Sequence, residues 1–254
     1  LVLAPAALYL LLRGGWMLLV LISVAVALLA VEWAMMSDRR APARLALAET
    51  CAVLAALFTA NFAHYRIAWL VLVLGAGAAA LIARRLASRP ADAAFGVLYI
   101  GAPCLSLIWL RAREPLGARW TVLVLAVAWA ADIAAFLVGN ALKGPKLWPQ
   151  FSPNKTWSGF IGGLAAATAA GFAVARLWPL ELDPIKTMAL GLFAGLATMA
   201  GDLWESVLKR RFGVKDSGDL IPGHGGLLDR VDGLMFAFLA VAAVRLVVNL
   251  GGPH

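Results

Sequence analysis

The residues best equipped for chemistry lie in one stretch, GDLWESVLKRRFGVKDSGDLIPGHGGLLDRVDG, from Gly201 to Gly233. It sets six of the chain's 14 acids, Asp202, Glu205, Asp216, Asp219, Asp229 and Asp232, among Lys209, Arg210, Arg211, Lys215 and Arg230. Carboxylate oxygens hold hard cations such as Mg²⁺, commonly one or two of them together with substrate phosphates, while Lys and Arg bind the phosphate oxygens that remain. That mixture suits a metal-bound polyphosphate. Inside it Pro222 to Gly226, PGHGG, offers glycines for close approach of backbone to a ligand and His224 as a donor to phosphate. A second polar stretch, Ser152-Pro153-Asn154-Lys155-Thr156 ahead of Gly159, reads as a turn opening a helix, with hydroxyls, an ammonium and free backbone N–H groups for an anion. Asp132 precedes it within an apolar run, where an acid is costly and commonly functional.

These residues need elements to carry them. Asp202 and Glu205 are three apart and Lys209 four further on, so a helix continuing out of an apolar run would put all three on one face at a membrane surface. The plainer alternatives are a solvated connection whose charges pair with each other, an ordinary capped turn at 152 to 156, and a structural acid at Asp132 paired with a neighbouring helix.

Of 254 residues 63% are apolar and 14% charged, with a mean hydropathy of +0.86; soluble domains are about half apolar and a quarter charged. A water-soluble fold is excluded. Apolar runs occur at roughly 1–12, 15–35, 43–62, 66–83, 92–110, 119–139, 157–178, 185–205 and 233–250, and a span takes about 20 residues. None shows the alternation of a transmembrane strand, and only helices and closed barrels satisfy every backbone group in lipid. The expected fold is therefore all-α, a polytopic integral membrane helical bundle of about nine transmembrane helices. It forms one domain over 1–254, with N-terminal spans over 1–110 and the chemistry over 111–254, on connections 140–156 and 206–232.

The net charge of +8 would suggest nucleic acid in a soluble protein, but here the cations flank apolar runs. Even-numbered connections hold 14 Lys and Arg and odd-numbered ones seven, while Arg245 falls inside the ninth run. By the positive-inside rule both polar connections face the cytoplasm, with the N-terminus inside and the C-terminus outside. No signal-peptide pattern opens the chain, so insertion is expected to use the spans themselves. Cys51 and Cys104 sit in apolar runs and read as buried thiols. Trp16, Trp33, Trp109, Trp120, Trp148, Trp157 and Trp178 fall near run ends, where amphipathic rings prefer the interface. The spacings Gly159 to Gly163 and Gly191 to Gly195 suit close helix approach, within the chain rather than in a dimer.

Ser206, Lys209, Arg210, Lys215, Asp216, Pro222, His224, Gly225, Gly226, Asp229, Arg230 and Asp232 resemble, gap for gap over 27 residues, the signature of the phosphatidate cytidylyltransferases, or CDP-diacylglycerol synthases. Gly201-Asp202-Leu203 and Glu205 extend the likeness, and Asp132, Gly139, Ser152 to Thr156 and Gly159 resemble the family's other polar motif. Ser158 departs from it, standing where many members carry Glu, and residues 1–110 match only in hydrophobicity.

The resemblance implies a nucleotidyltransferase of phospholipid biosynthesis in the inner (plasma) membrane, joining CTP to phosphatidate with release of pyrophosphate. It implies Mg²⁺, with K⁺ as a candidate second ion, and no nucleic acid; a homodimer is a candidate assembly. Asp202 and Asp229 are expected to hold the metal, with Glu205, Asp216 and Asp232 as further candidate ligands. Lys209, Arg210, Lys215 and Arg230 are expected to neutralise pyrophosphate, and Asp216, Asp232 and His224 to orient these groups. Ser152, Asn154, Lys155, Thr156, Asp132, Ser206, Gly225 and Gly226 are the expected substrate contacts.

Two alternatives belong to other classes. A CTP-dependent lipid-alcohol kinase would transfer the γ-phosphoryl group and release CDP, and a transporter would use Asp132 as its coupling acid. A CDP-alcohol phosphotransferase is disfavoured because its DG-x-x-AR pattern is absent.

Overall fold

A computed structural model describes residues 3–38, 40–112, 116–180, 182–218 and 225–251. Asp219, Pro222 and His224 of the polar stretch lie outside the described residues, as do Arg39 and Arg113. In chain order the elements are α1 (Leu3–Arg13), α2 (Gly15–Ser37), α3 (Pro42–Asn61), α4 (Tyr65–Arg85), α5 (Pro90–Arg111), α6 (Gly117–Leu142), β1 (Lys146–Trp148), β2 (Ser152–Thr156), α7 (Trp157–Leu177), α8 (Pro184–Phe212) and α9 (Leu228–Gly251). Among the described residues eight helices, α2 to α9, are long and apolar enough to cross a bilayer. The first expected span is shorter: α1 has 11 residues and rises about 16 Å, against a hydrocarbon core of about 30 Å.

Local chemistry sets the ends. Pro42, Pro90 and Pro184 each open a helix, where the missing N–H is no loss. Asp183 caps α8, its Oδ1 accepting from the amides of Ile185 and Lys186 at 3.0 Å each. At the other end α8 runs to Phe212, held by good helix formers with Lys209, Arg210 and Arg211 near the favourable negative pole. The connection expected over 206–232 accordingly shrinks to 213–227, since α9 begins at Leu228.

The chain divides into two compact units. The first joins Leu1–Ala112 to Arg211–Val231, and the second joins Arg113–Arg210 to Asp232–His254. In the first unit Trp33 of α2 is wholly buried. Its Nε1 donates to the carbonyl of Asp92 at 3.0 Å, and its ring meets those of Phe95, Tyr99 and Phe212 with centroids 5.5 to 5.6 Å apart. Gly96 makes the room: a Cβ there would fall 2.2 Å from the indole nitrogen. The α2–α3 and α4–α5 connections are tied together, Arg40 donating to the carbonyl of Ala87 at 2.7 Å and the Ser88 hydroxyl to Asp38 at 2.5 Å.

In the second unit α6 and α7 pack backbone to backbone. A Cβ on Gly159 or Gly163 would lie 2.6 or 2.7 Å from the carbonyl oxygens of Ala135 and Ala131, so both GxxxG glycines of α7 serve contact within the chain. Arg245 of α9 is buried with its guanidinium 4.7 Å from the centre of the Trp120 ring, which gives the cation a partner inside a span. Trp33 and Trp120 thus line cores rather than the interface, whereas Trp16, Trp148, Trp157 and Trp178 are exposed. Cys51 is exposed on α3 rather than buried, because it falls on a face of the helix left uncovered among the described residues, and Cys104 is half-buried.

Between α6 and α7 the expected turn is a two-stranded antiparallel hairpin, with Lys146 opposite Thr156 and Trp148 opposite Ser152 and an irregular register between. The 140–156 connection is therefore the last turn of α6 followed by this hairpin.

Candidate active site

The second unit encloses a cavity of about 450 Å³. From α6 come Asp132, Phe136 and Asn140, spaced by four so that they form one stripe, with Ala135 and Gly139 beside them. From β2 and the start of α7 come Asn154, Lys155, Thr156, Gly159 and Phe160, and from α8 come Met199, Asp202 and Leu203.

Lys155 and Asp202 form an ion pair across the cavity, with side chains 26% and 40% exposed. Asp132 is exposed on the same lining. Asp232 is buried on α9, within electrostatic reach of Asp202, Lys155 and Asp132. It is held against α8 at Gly201, where a Cβ would lie 2.6 Å from the Asp232 carbonyl oxygen.

The hairpin is seated by its own hydroxyls. Thr156 caps α7, its Oγ1 accepting from the Gly159 amide at 3.1 Å, and lies 3.1 Å from the Ser158 hydroxyl. Ser158 in turn accepts from the Gly144 amide at 3.2 Å. So Ser158, the residue that departs from the resembled motif, ties the end of α6 to the start of α7. Ser152 stands at the far end of β2, paired with Trp148, and does not line the cavity.

On the last turns of α8, Lys209 pairs with the buried Glu205 at 2.7 Å and the Ser206 hydroxyl donates to the Asp202 carbonyl at 3.0 Å. Arg210 is exposed.

The first unit holds the rest of the motif. Asp229 Oδ2 accepts from the Ser217 amide at 3.1 Å, the Ser217 hydroxyl at 3.0 Å and the Gly226 amide at 3.1 Å. Gly225 has φ +78°, a backbone conformation that glycine adopts without strain. Lys215, Asp216 and Arg230 are exposed. Glu32 of α2 accepts from the amides of Leu227 and Leu228, and Arg211 donates to Asp92 at 2.6 Å. Sequence reasoning passed over Glu32, Asp92, Ser217 and Asn140. For the two acids a signal existed, since each stands alone in an apolar run, as Asp132 does.

Carboxylate, amide and hydroxyl oxygens around Lys155 form a hard donor set. Among the described residues no three of His, Cys, Asp and Glu converge on one metal position. Two acids, Asp132 and Asp202, in the lining of one cavity still fit the usual Mg²⁺ arrangement, in which one or two carboxylates share the ion with substrate phosphates.

The model of the Cytidylyltransferase family matches residues 1–248. The chain belongs to the cytidylyltransferase family. As a cytidylyltransferase-family member it shares the family's pattern through α1 to α5 as well, where the motif residues gave no guide. It is 49% identical over 170 residues to a Brucella suis protein named phosphatidate cytidylyltransferase, covering 65% of this chain and 60% of that one. Proteins of the same name from Bacillus subtilis and Staphylococcus aureus are 39% identical over 139 residues and 37% over 145. Those matches cover 55% and 57% of this chain, and 52% and 56% of the relatives. This cytidylyltransferase-family chain thus spans between half and two thirds of the length of those relatives.

Proposed function

We propose that the chain is a phosphatidate cytidylyltransferase, converting CTP and phosphatidate to CDP-diacylglycerol and pyrophosphate. The observation that carries this reading is the Lys155–Asp202 ion pair beside Asp132 in one cavity of a membrane-spanning unit. The names of the relatives support it.

A lipid phosphate monoester has its second pKa near 6 and is largely dianionic at neutral pH, so it needs little help from a base. The obstacle is repulsion between two polyanions. In the reaction a phosphatidate oxygen forms a bond to the α-phosphorus of CTP while the bond from that phosphorus to the bridging oxygen of the β-phosphate breaks, and the electron pair leaves with pyrophosphate. Lys155 exchanges Asp202 for a phosphate oxygen, and Asn154 and Asn140 donate to the same group. The family resemblance assigns Lys209, Arg210, Lys215 and Arg230 to balancing the charge of the leaving group. Asp202 and Asp132 are the groups that would hold Mg²⁺, with K⁺ as a second ion, and the family resemblance makes Asp229 a further acid that the reaction requires. When bound, the metal supplies neutralisation of the phosphate charge and in-line orientation. The polar connections face the cytoplasm, where CTP is dissolved, in the inner membrane.

The test is purified protein with labelled CTP, dioleoyl phosphatidate and Mg²⁺. The expected result is CDP-lipid and pyrophosphate in equal amounts, lost on chelation and lowered about 100-fold or more in Asp202→Asn and Asp229→Asn. Vesicles should react to added CTP only when inverted. Release of CDP in place of pyrophosphate would overturn the reading in favour of a kinase, and counterflow of substrate without turnover in favour of a transporter.

A further inference from the structure

Glu32 lies in α2, 1% exposed, inside a helix apolar enough to span the membrane. A carboxylate buried there is costly unless donors satisfy it. The donors come from the motif. Oε1 accepts from the Leu227 amide and Oε2 from the Leu228 amide, both at 2.7 Å, and the Ser217 hydroxyl lies 3.5 Å from Oε2. Those amides sit at the open end of α9, where N–H groups have no partner within the helix and the helix dipole favours an anion. Space for the contact is made by glycine: a Cβ on Gly226 would fall 2.0 Å from Ser217 Oγ and 2.9 Å from Glu32 Oε1. Gly226 was expected to bring backbone close to a ligand. Here it brings backbone close to Glu32.

Ser217 also links this carboxylate to a second one, because its amide and hydroxyl both donate to Asp229 Oδ2, which takes the Gly226 amide as well. The segments on either side of residues 219–224 are thus gathered on two acids, one from α2 and one from the first turn of α9. We propose that Glu32 is a positioning residue for cytidylyl transfer, holding the start of α9 through Leu227 and Leu228 and thereby fixing Asp229. This rests on the activity proposed above. The unit provides its own control in Glu49 of α3, a glutamate equally buried whose two carboxyl oxygens have no hydrogen-bond partner among the described residues.

The experiment compares Glu32→Gln, Ser217→Ala and Glu49→Gln with the wild type in steady-state kinetics and in amide hydrogen exchange of the intact protein in detergent. In Glu32→Gln the amide turns an NH₂ toward one of the two backbone donors. Its kcat should fall about 10- to 100-fold, the range seen when a group that orients a catalytic ligand is removed, with both KM values within about twofold. Exchange should quicken at residues 225–230 and stay unchanged in peptides from α3 to α5. Ser217→Ala should loosen the same peptide to a smaller degree, and Glu49→Gln should match the wild type in both readouts. Wild-type kcat in Glu32→Gln, an equal loss in Glu49→Gln, or faster exchange throughout the unit would each overturn the proposal. The exchange measurement needs no substrate. Local loosening in Glu32→Gln alongside a wild type that makes no CDP-lipid would therefore uphold the clamp and remove the proposed activity.

Discussion

Asp38 joins two connections of the first unit by a balance that can be worked through. Burial alone would push its carboxyl up, but the Ser88 hydroxyl, the amides of Arg40 and Ala41 and the charge of Arg40 together hold it below its ordinary value. A carboxyl so depressed stabilises the fold above its unfolded pKa of about 3.9, and that contribution disappears as pH falls through the lower folded value. Ser88→Ala removes the 2.5 Å hydrogen bond, so the folded pKa should rise toward the unfolded value, the stability at neutral pH should drop, and the acid limb should become shallower and end at higher pH. Thermal unfolding in detergent between about pH 3 and pH 7 reads this directly, and superimposable acid limbs would sink it. Reading at this scale succeeded where polar residues were dense. Asp202 and Lys155 stood out by chemistry, and the structure pairs them. Glu32 and Asp92 were equally visible as lone acids, but what they touch, Leu227, Leu228 and Arg211, is 119 to 196 positions away, and no local pattern encodes such a pairing.

Among elements, α7 and α8 meet at a seam without side chains. A Cβ on Gly171 would lie 2.6 Å from the Thr187 carbonyl oxygen and 3.0 Å from Gly191 Cα, and one on Gly191 would lie 2.7 Å from the Ala167 carbonyl oxygen. Backbone cannot rotate away, so Gly171→Ala and Gly191→Ala should each cost about 1–3 kcal/mol through overpacking. Gly77 of α4 has nothing within 4 Å of the equivalent position, and Gly77→Ala should gain about 0.5–1 kcal/mol. Unfolding midpoints of the three variants check both signs, and a seam variant as stable as the wild type would refute the packing argument. Most helices were legible because an apolar run of span length has one satisfactory backbone solution in lipid. The hairpin was not: β1 is three residues, KLW, too short for an alternation to show, and β2 carries Pro153 and Asn154, residues depleted in strands. The extent of α8 was missed for a related reason. Charge at Glu205 to Arg211 ended the apolar run, but an i, i+4 ion pair and a favourable pole carried the helix on.

For the whole molecule, composition sufficed to exclude a soluble fold, and the family model reaches across residues 1–248. Hydrophobicity alone could not reveal that the N-terminal helices reach the motif, because the contact depends on one glutamate in 23 residues of α2. The length of α8 has a consequence of its own. Its 29 residues extend about 43 Å, and Asp202 lies about 27 Å from its first residue, a length close to the thickness of a bilayer's hydrocarbon core, about 30 Å. Such a rod meets a thinner or thicker bilayer by tilting or by distorting the lipid around it, and Asp202 moves with it. Hydrophobic mismatch thereby becomes a variable of the proposed reaction. In proteoliposomes of phosphatidylcholines of graded acyl length, turnover at fixed substrate fraction should pass through a maximum, and a flat profile would show that the site is insulated from the thickness of its solvent.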